Sequence, residues 1–177
     1  VATNDVGTAD IIVFNTCTIR ESAEARAMGN IGAIKNIKRK NKDVILAVVG
    51  CMSQQKGAGE NLIKKFSFID IVLGTHNIHK LAESVQFVID KKRRFVEVLD
   101  NCSYMGNEEN VLRDRDLNAW VNIMYGCNNY CTYCIVPYVR GREVSRTPSE
   151  IITEITDLVQ NKNYKIEELD YLDGEEA

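Results

Sequence analysis

Three cysteines stand within eight residues in the C-terminal half of the chain. The segment reads Gly-Cys-Asn-Asn-Tyr-Cys-Thr-Tyr-Cys, so that Cys127, Cys131 and Cys134 follow a C-x3-C-x2-C spacing. Thiolate is the natural ligand of iron–sulfur clusters, and three thiolates this close can hold three corners of a cubane [4Fe–4S] cluster. Because no fourth cysteine is adjacent, one iron would remain open to coordinate a small molecule.

Other uses of three clustered cysteines fit this segment less well. A structural zinc site requires four protein ligands, and no nearby Cys or His supplies the fourth. The ferredoxin spacing is C-x2-C-x2-C, which differs from the spacing found here. Disulfides are disfavoured because the N-terminus shows no secretory signal. The open cluster is the favoured interpretation, and chance clustering of cysteines is the alternative.

The composition restricts the class of protein. Of 177 residues, 45% are hydrophobic and 27% charged, which is ordinary for a globular protein and disfavours disorder as the main state. No apolar run approaches the roughly 18 residues that span a bilayer. The net charge of −3 excludes a globally basic nucleic-acid binder but allows a local basic patch. We expect a cytoplasmic protein, and the absence of an initiator Met predicts a processed, trimmed or partial chain.

The elements that must position the cysteines alternate between strand and helix signals over the first hundred residues. Short apolar runs predict four buried strands, at 9–15, 44–49, 68–73 and 95–99. Amphipathic stretches predict helices at 18–40, 54–66 and 78–89, the first of them capped by Thr18 and Glu21. This alternation predicts an α/β fold with a parallel sheet.

A second group of elements surrounds the cysteine segment. Residues 101–118 are polar and without periodicity, which predicts a linker between a domain at 1–100 and a domain at 119–177. A strand is predicted at 119–124. A helix is predicted to begin at Thr147, with Pro148 at its first position and Glu150 completing a capping box. Another short strand is predicted at 166–172.

The cysteine segment resembles that of the radical S-adenosylmethionine (SAM) superfamily. In that superfamily SAM binds the open iron of the cluster. One electron from the cluster cleaves SAM to a 5′-deoxyadenosyl radical, which then abstracts a hydrogen atom. The resemblance implies that Cys127, Cys131 and Cys134 bind such a cluster, with the cofactor carrying the chemistry and the protein supplying ligation and orientation.

Further segments resemble the methylthiotransferases of that superfamily: Asn15–Glu21, Gly50–Gln54, Gly74–Leu81 and Val139–Arg146. The resemblance covers most of residues 9–160. It implies an N-terminal methylthiotransferase α/β domain whose first strand is missing, followed by the beginning of a radical-SAM (β/α) partial barrel. Ile-Arg-Glu after Cys17 resembles the branch that modifies carbon 2 of isopentenyladenosine next to a tRNA anticodon. The branches for threonylcarbamoyladenosine or a ribosomal-protein aspartate are the alternatives.

Two more cysteines follow predicted strands. Cys17 and Cys51 each lie just past the carboxyl end of a strand, where open α/β sheets bind ligands, so their thiols could converge. Buried structural cysteines are the alternative. The resemblance implies that both ligate an auxiliary [4Fe–4S] cluster whose third cysteine has no counterpart here. Cys102 matches no motif and is interpreted as a bystander.

The remaining polar candidates carry weaker signals. Arg140, Arg142 and Arg146 could contact tRNA phosphates or the SAM carboxylate, with a solvated surface as the equal alternative. His76 and His79 are predicted to cap a helix rather than to bind metal. Aromatic residues around the cysteine segment are predicted to shield the cluster: Tyr125, Tyr130, Tyr133 and Tyr138.

The resemblance also implies the cofactors and partners. These are two [4Fe–4S] clusters, SAM, the anticodon loop of a tRNA, an electron donor and a sulfur source, with a monomeric protein and no membrane partner. About 60 residues follow the linker, whereas a complete barrel needs on the order of 200. We therefore expect the chain alone to lack methylthiotransferase activity. A non-catalytic, truncated iron–sulfur-binding remnant is the alternative function.

Overall fold

In a computed structural model, the structure describes residues 2–3, 5–19, 21–100 and 119–161. Short 3-10 helices lie at Val6–Thr8 and Thr75–Lys80. The strands and α-helices are, in chain order, β1 (Ile11–Thr16), α1 (Glu21–Ala33), α2 (Lys35–Lys40), β2 (Ile45–Gly50), α3 (Cys51–Gln54), α4 (Ala58–Lys65), β3 (Ile71–Leu73), α5 (Leu81–Lys91), β4 (Phe95–Glu97), β5 (Met124–Tyr125), α6 (Val136–Arg140), β6 (Val144–Ser145) and α7 (Pro148–Asn161).

The first four strands form one parallel sheet in the order β1-β2-β3-β4. Every residue of β2 is buried. A continuous apolar run is what a strand covered on both faces requires, because both sets of alternating side chains must leave water. The predicted α/β fold with a parallel sheet is confirmed.

Helices cover both faces of this sheet. Side chains of β2 alternate between the faces, as the two-residue period of a strand dictates. One face packs against α1 and α4 in a first core: Ile31, Leu46, Val48, Leu62 and Val72. The other face packs against α5 in a second core: Ala47, Val49, Ile71, Leu73 and Val88.

Strand β1 is an edge strand covered on one face. Ile12 and Phe14 pack against the first core. Ile11 and Val13 point the other way and are 45% and 43% exposed. Among the described residues, the layer formed by α5 therefore covers β2 and β3 but not β1.

A half-buried ion pair ties α2 to the amino-terminal end of the sheet. The Lys38 ammonium lies 2.5 Å from a carboxylate oxygen of Asp70, and it also donates to the Val44 carbonyl at 2.7 Å. The same Asp70 oxygen accepts the Leu46 N–H at 2.8 Å. The two charged side chains are 12% and 22% exposed, so this pair is shielded from water. It aligns the starts of β2 and β3.

The predicted first helix is divided in the structure. The single helix expected at 18–40 becomes α1 and α2, which meet at Ile34, where the Ile34 N–H donates to the Ile31 carbonyl at 3.2 Å. This tightened turn buries both isoleucines in the first core. The prediction that Thr18 caps the helix is wrong. Helix α1 begins at Glu21, and the Thr18 hydroxyl donates to the Glu24 carboxylate at 2.7 Å.

The predicted second helix also begins elsewhere. The chain turns into α3 at Cys51 rather than at Gln54. It leaves helical conformation after Gln54, and Gly57 at φ +73° lets it start again as α4. This break places Cys51 in the first turn of a short helix that directly follows β2.

Gly50 makes the sharp exit from β2 sterically feasible. Its φ is +100°, a conformation that residues with a Cβ rarely adopt. A Cβ at this position would lie 2.5 Å from the Thr16 carbonyl oxygen and 2.8 Å from the Asn15 side-chain oxygen. The close approach of β1 and β2 at this end therefore requires glycine.

The described residues form two compact units. One contains residues 2–100 and 125–144, and the other contains 119–124 and 145–161. In the second unit, the Arg146 guanidinium donates to the Glu154 carboxylate at 2.6 Å and to the Asn122 carbonyl at 2.8 Å. The Glu150 carboxylate accepts the Thr147 N–H at 2.9 Å, which confirms the predicted start of α7.

Three other sequence predictions concern the region around this second unit. Of the strand expected at 119–124, the structure contains only Met124, in β5, which pairs with β6. The predicted linker at 101–118 and the predicted strand at 166–172 lie outside the described residues. No described helix is long and apolar enough to cross a membrane.

Replacing Asp70 by Asn should destabilise the sheet. The variant keeps an oxygen for the Leu46 N–H but leaves the Lys38 ammonium uncompensated in a shielded position. We expect the free energy of unfolding to fall by about 1–3 kcal/mol, measured by urea denaturation. The matched control is Glu60→Gln, which breaks an exposed pair with Lys64 at 3.9 Å and should change stability by less than about 0.5 kcal/mol. Equal losses in the two variants would refute the structural role of Asp70.

Replacing Gly50 by Ala should separate the ends of β1 and β2. The added Cβ meets the Thr16 carbonyl at a distance that real Cβ atoms do not adopt. We expect a loss of about 1–3 kcal/mol in the free energy of unfolding. Gly29 in α1 provides the control because a Cβ there meets nothing within 4 Å. Gly29→Ala should raise stability by about 0.5–1 kcal/mol, and a similar gain at Gly50 would contradict the proposed strain.

Candidate functional site

The cysteine loop lies between β5 and α6 and is closed by its own backbone. Gly126 opens it at φ +73°, and a Cβ there would lie 2.2 Å from the Arg142 carbonyl oxygen. The Cys127 N–H donates to the Gly141 carbonyl at 3.2 Å. Next to this bond, the Glu143 N–H donates to the Asn128 side-chain oxygen at 3.1 Å. The start and the end of the loop are thus joined before any ligand is considered.

Tight backbone turns separate the three cysteines. Tyr130, immediately before Cys131, has φ +46°, a left-handed conformation that is costly for a residue with a large side chain. The Cys134 N–H donates to the Cys131 carbonyl at 2.9 Å. The Tyr130 ring meets the Tyr138 ring edge-on, with centroids 6.0 Å apart. The aromatic contact fixes the strained residue that precedes the second cysteine.

The three thiols of this loop suit an iron–sulfur cluster by type, number and access. Cys131 is exposed, Cys127 and Cys134 are half-buried, and all three are free thiols. Thiolates are the soft ligands that such clusters require. Nevertheless, across 2–3, 5–19, 21–100 and 119–161, no three His, Cys, Asp or Glu side chains are grouped closely enough to hold a metal ion. The loop supplies the donors without having drawn their side chains together.

Cys17 and Cys51 follow neighbouring strands at one edge of the sheet. Strands β1 and β2 pair in a register that places Thr16 opposite Gly50, and each cysteine is the next residue along its strand. The Thr16 hydroxyl donates to the Val49 carbonyl at 2.7 Å, which holds the two strand ends together. Cys17 is exposed, whereas Cys51 is buried. Both thiols are free; ligation of a cluster by them stays a prediction, and Cys102 lies outside the described residues.

A buried polar network at the same edge escaped the sequence analysis. The Gln54 side-chain oxygen accepts the Thr75 N–H at 2.9 Å, and its amide nitrogen donates to the Leu99 carbonyl at 2.8 Å. Asn77, which is fully buried, accepts the Gly74 N–H at 3.0 Å. These residues stand in the segments Gly50–Gln54 and Gly74–Leu81, which the resemblance had marked. Periodicity could not find them, since it detects apolar faces and not hydrogen-bonding partners.

The far side of this network ends on a charged group. The Asn77 amide nitrogen donates both to the Glu97 carbonyl and to its carboxylate, each at 2.9 Å. Lys80 also donates to that carboxylate at 2.9 Å. These hydrogen bonds, the one from Lys80 first, hold the pKa of Glu97 below its usual value. The carboxylate thereby anchors the turn between β3 and α5.

His76 does not have the capping role predicted for it. Asn77, not His76, is the side chain that accepts an N–H at the start of the Thr75–Lys80 turn. The imidazole is 5% exposed, and burial lowers the pKa of His76, an effect that the Asp100 carboxylate opposes. His79 is exposed and engaged in an interaction of its own.

The arginines that follow the loop divide into two kinds. Arg140 and Arg142 are exposed. Arg146 is bound to Glu154 and Asn122 within the second unit, so its guanidinium already has partners there. Contact of any of these arginines with RNA or SAM stays a prediction. Of the tyrosines expected to shield a cluster, Tyr133 is 93% exposed and faces solvent.

Comparisons with known proteins match two separate stretches of the chain. Residues 1–74 match the model of "Uncharacterized protein family UPF0004", and residues 121–176 match that of the "Radical SAM superfamily". The first match contains Cys17 and Cys51, and the second contains the loop cysteines.

The chain is also similar to curated proteins named "tRNA-2-methylthio-N(6)-dimethylallyladenosine synthase". It is 45% identical over 163 residues to the protein of Thermoanaerobacter sp. (strain X514), which covers 92% of this chain and 34% of the relative. It is 50% identical over 157 residues to the protein of Clostridium novyi (strain NT), covering 89% and 34%. With the protein of Clostridium botulinum (strain Hall), the identity is 46% over 165 residues, covering 93% and 36%.

The chain spans about a third of the length of the curated relatives it matches. The two matched ranges together include five cysteines, Cys17 and Cys51 in the first and Cys127, Cys131 and Cys134 in the second. The chain is thus similar, over about nine-tenths of its length, to proteins of the radical-SAM methylthiotransferase family.

Proposed function

We propose that this chain is part of a tRNA methylthiotransferase that adds a methylthio group to carbon 2 of isopentenyladenosine next to the anticodon. The observation that carries the proposal is the presence of both thiol sets on one chain. One set follows paired strand ends at Thr16 and Gly50, and the other lies on the loop closed by Gly126 and Gly141. The printed names of the relatives support this substrate over the alternative branches.

The loop thiols are proposed to hold the SAM-binding [4Fe–4S] cluster. Membership of the radical SAM superfamily implies an iron–sulfur cluster and SAM. When bound, such a cluster supplies the electron that cleaves SAM. Cys127, Cys131 and Cys134 would ligate three irons, and the fourth would stay open to SAM. The exposed side of the loop, with Cys131 and Tyr133, leaves room for a ligand to approach.

The second proposed cluster uses Cys17, Cys51 and a third cysteine from outside this chain. The buried position of Cys51 and the exposed position of Cys17 at neighbouring strand ends would give the cluster one protein side and one open side. The open side suits a site that receives sulfur from a separate donor. We place residues 1–100 in the methylthiotransferase domain and 119–177 in the radical-SAM domain, joined by a linker at 101–118.

The remaining partners follow from the proposed reaction. Arg140 and Arg142 are exposed and carry the charge that could pair with tRNA phosphates or the SAM carboxylate. The modified adenine would come from an anticodon loop, because proteins read RNA bases where they are unstacked. An electron donor and a sulfur source are also required. We propose a monomer acting in the cytoplasm without a membrane partner.

A non-catalytic iron–sulfur-binding protein is the second candidate function. The free thiols of Cys127, Cys131 and Cys134 are compatible with it, because they could bind iron whether or not SAM is used. The two candidates differ in one measurable property. A methylthiotransferase part should bind SAM at its loop cluster, whereas a remnant should bind iron without responding to SAM.

Cysteine replacement tests the ligand assignment. After anaerobic reconstitution, the combined change of Cys127, Cys131 and Cys134 to Ala should remove about four iron atoms per chain, because the three thiolates hold one cubane cluster. Iron and sulfide analysis with visible absorption measures the loss. Cys102→Ala is the matched control and should retain all the iron. Retention of iron by the triple variant would remove the basis of the proposed function.

The chain by itself should not methylthiolate tRNA. The chain spans about a third of the relatives' length, and the auxiliary site as proposed needs a third cysteine besides Cys17 and Cys51. Incubation with SAM, a reductant and isopentenylated tRNA, followed by mass spectrometry of the nucleosides, is expected to show no 2-methylthio product. A reconstituted longer protein containing this chain is the positive control. Product formation by the 177-residue chain would overturn this expectation.

A further inference from the structure

Helix α6, which follows the last loop cysteine, is seated on the carboxyl edge of the α/β sheet. Pro137 and Val139 are its buried residues, and Val139 is 1% exposed. The Val139 carbonyl accepts a hydrogen bond from the Thr75 hydroxyl at 2.5 Å. Thr75 begins the turn that follows β3. A single side chain therefore connects the sheet edge to the helix that ends the cysteine loop.

Thr75 is itself fixed from the opposite side. Its N–H donates to the Gln54 side-chain oxygen at 2.9 Å, and Gln54 is 8% exposed. The amide nitrogen of Gln54 donates to the Leu99 carbonyl at 2.8 Å. Both ends of the Gln54 amide are thus used, which fixes its orientation and leaves its oxygen directed at Thr75. A Cβ on Gly74 would lie 2.0 Å from the Gln54 oxygen, so a larger residue there would have to displace this side chain.

A second contact lies one residue further along the turn. A Cβ placed on Gly141 would lie 3.3 Å from the His76 ring, so the backbone that ends α6 passes close to the imidazole. The Gly141 carbonyl also accepts the Cys127 N–H. His76 therefore supports the residue that holds the first cysteine of the loop.

The same network reaches the other thiol set. Gln54 ends α3, the short helix that Cys51 begins, so the two residues are separated by about one helical turn. A continuous path runs from Cys51 through Gln54, Thr75 and Val139 to the loop that carries Cys134. Each step in this path is a helical turn or a hydrogen bond within one compact unit.

We propose that Gln54, Thr75 and His76 are positioning residues that seat the cysteine loop on the sheet edge and fix it relative to Cys51. The identity of the ligand that the thiols bind rests on the proposed function. The contacts that hold the loop on the sheet edge are made by the polypeptide alone. The Thr75 hydroxyl is the central element, because it joins the two segments directly. Its role can be tested with and without iron.

The first test measures amide hydrogen exchange in the metal-free 177-residue chain. Thr75→Val keeps the shape of the side chain but loses the hydroxyl, and should speed exchange of peptides covering residues 127–141 by about tenfold. Thr75→Ser keeps the hydroxyl and should exchange at the wild-type rate. Peptides covering β2 should be unchanged in both variants. If residues 127–141 exchange at the wild-type rate in Thr75→Val, or equally faster in both variants, the Thr75 hydroxyl does not hold the loop on the sheet edge and the proposal fails.

A second variant protects the test against misfolding of the first. His76→Ala removes the ring that lies next to Gly141 and leaves the loop sequence unchanged. It should accelerate exchange of residues 127–141 and leave β2 protected. If His76→Ala leaves the loop as protected as in the wild type, the His76 contact has no positioning role and this proposal fails.

The third readout follows the reconstituted cluster. Thr75→Val should bind as much iron as the wild type but give an altered electron paramagnetic resonance spectrum after reduction, and Thr75→Ser should restore the spectrum. An unchanged spectrum in Thr75→Val would show that the contact of Thr75 with the loop does not affect the positions of the thiols. If the wild-type chain binds no iron while Thr75→Val still accelerates exchange, Thr75 does position the loop but the proposed cluster ligands are wrong.

Discussion

The pairing of β1 with β2 is the constraint on which the rest of the structure depends. Parallel strands must end at the same edge, and the register that sets Thr16 opposite Gly50 makes these two strands end together. The hydroxyl of Thr16 reinforces this end by bonding to the Val49 carbonyl. Because Gly50 lacks a Cβ, the backbones approach closely and the chain turns at once into α3. The position of Cys51 is therefore a consequence of strand register and one glycine.

That edge leaves polar backbone groups which the protein satisfies with buried side chains. The Gln54 amide accepts the Thr75 N–H and donates to the Leu99 carbonyl, and the Asn77 side chain accepts the Gly74 N–H. An unpaired buried group costs about 1–3 kcal/mol, so such side chains must be held in defined orientations. A side chain with a fixed orientation can also serve as a support. The edge consequently presents a rigid surface, and α6 lies on it through Val139.

The sequence was sufficient for the parts of this fold that depend on apolar periodicity. The four strands were predicted close to their observed positions, because their runs of Val, Ile and Leu have no other way to leave water. The start of α7 was predicted as well, since Thr147 and Glu150 satisfy each other locally. The capping role predicted for Thr18 was wrong because its hydroxyl has other partners. It donates to Glu24 within the helix, and Gln55, which is distant in sequence, donates to it.

The candidate site shows the same division. The thiols were predictable because residue type and spacing specify the chemistry. Their support was not, since the contacts of Gln54 with Thr75 and of Thr75 with Val139 join residues 21 and 64 positions apart. No local pattern encodes such a pairing. His76 is a further case: a histidine near the start of a turn favours a capping role, but in the structure it is buried, with Gly141, 65 positions further along the chain, close to its ring.

The cysteine loop takes its shape from its backbone rather than from its thiols. Gly126 and Gly141 both adopt positive φ where the two ends of the loop approach, and the Cys127 N–H bonds across this junction. The turn from Cys131 to Cys134 is closed by a backbone hydrogen bond of 2.9 Å. Ligand binding would then have to order three cysteine side chains but not the chain that carries them. Since fixing one residue's backbone costs about 1–2 kcal/mol, a loop that is already closed makes binding correspondingly more favourable.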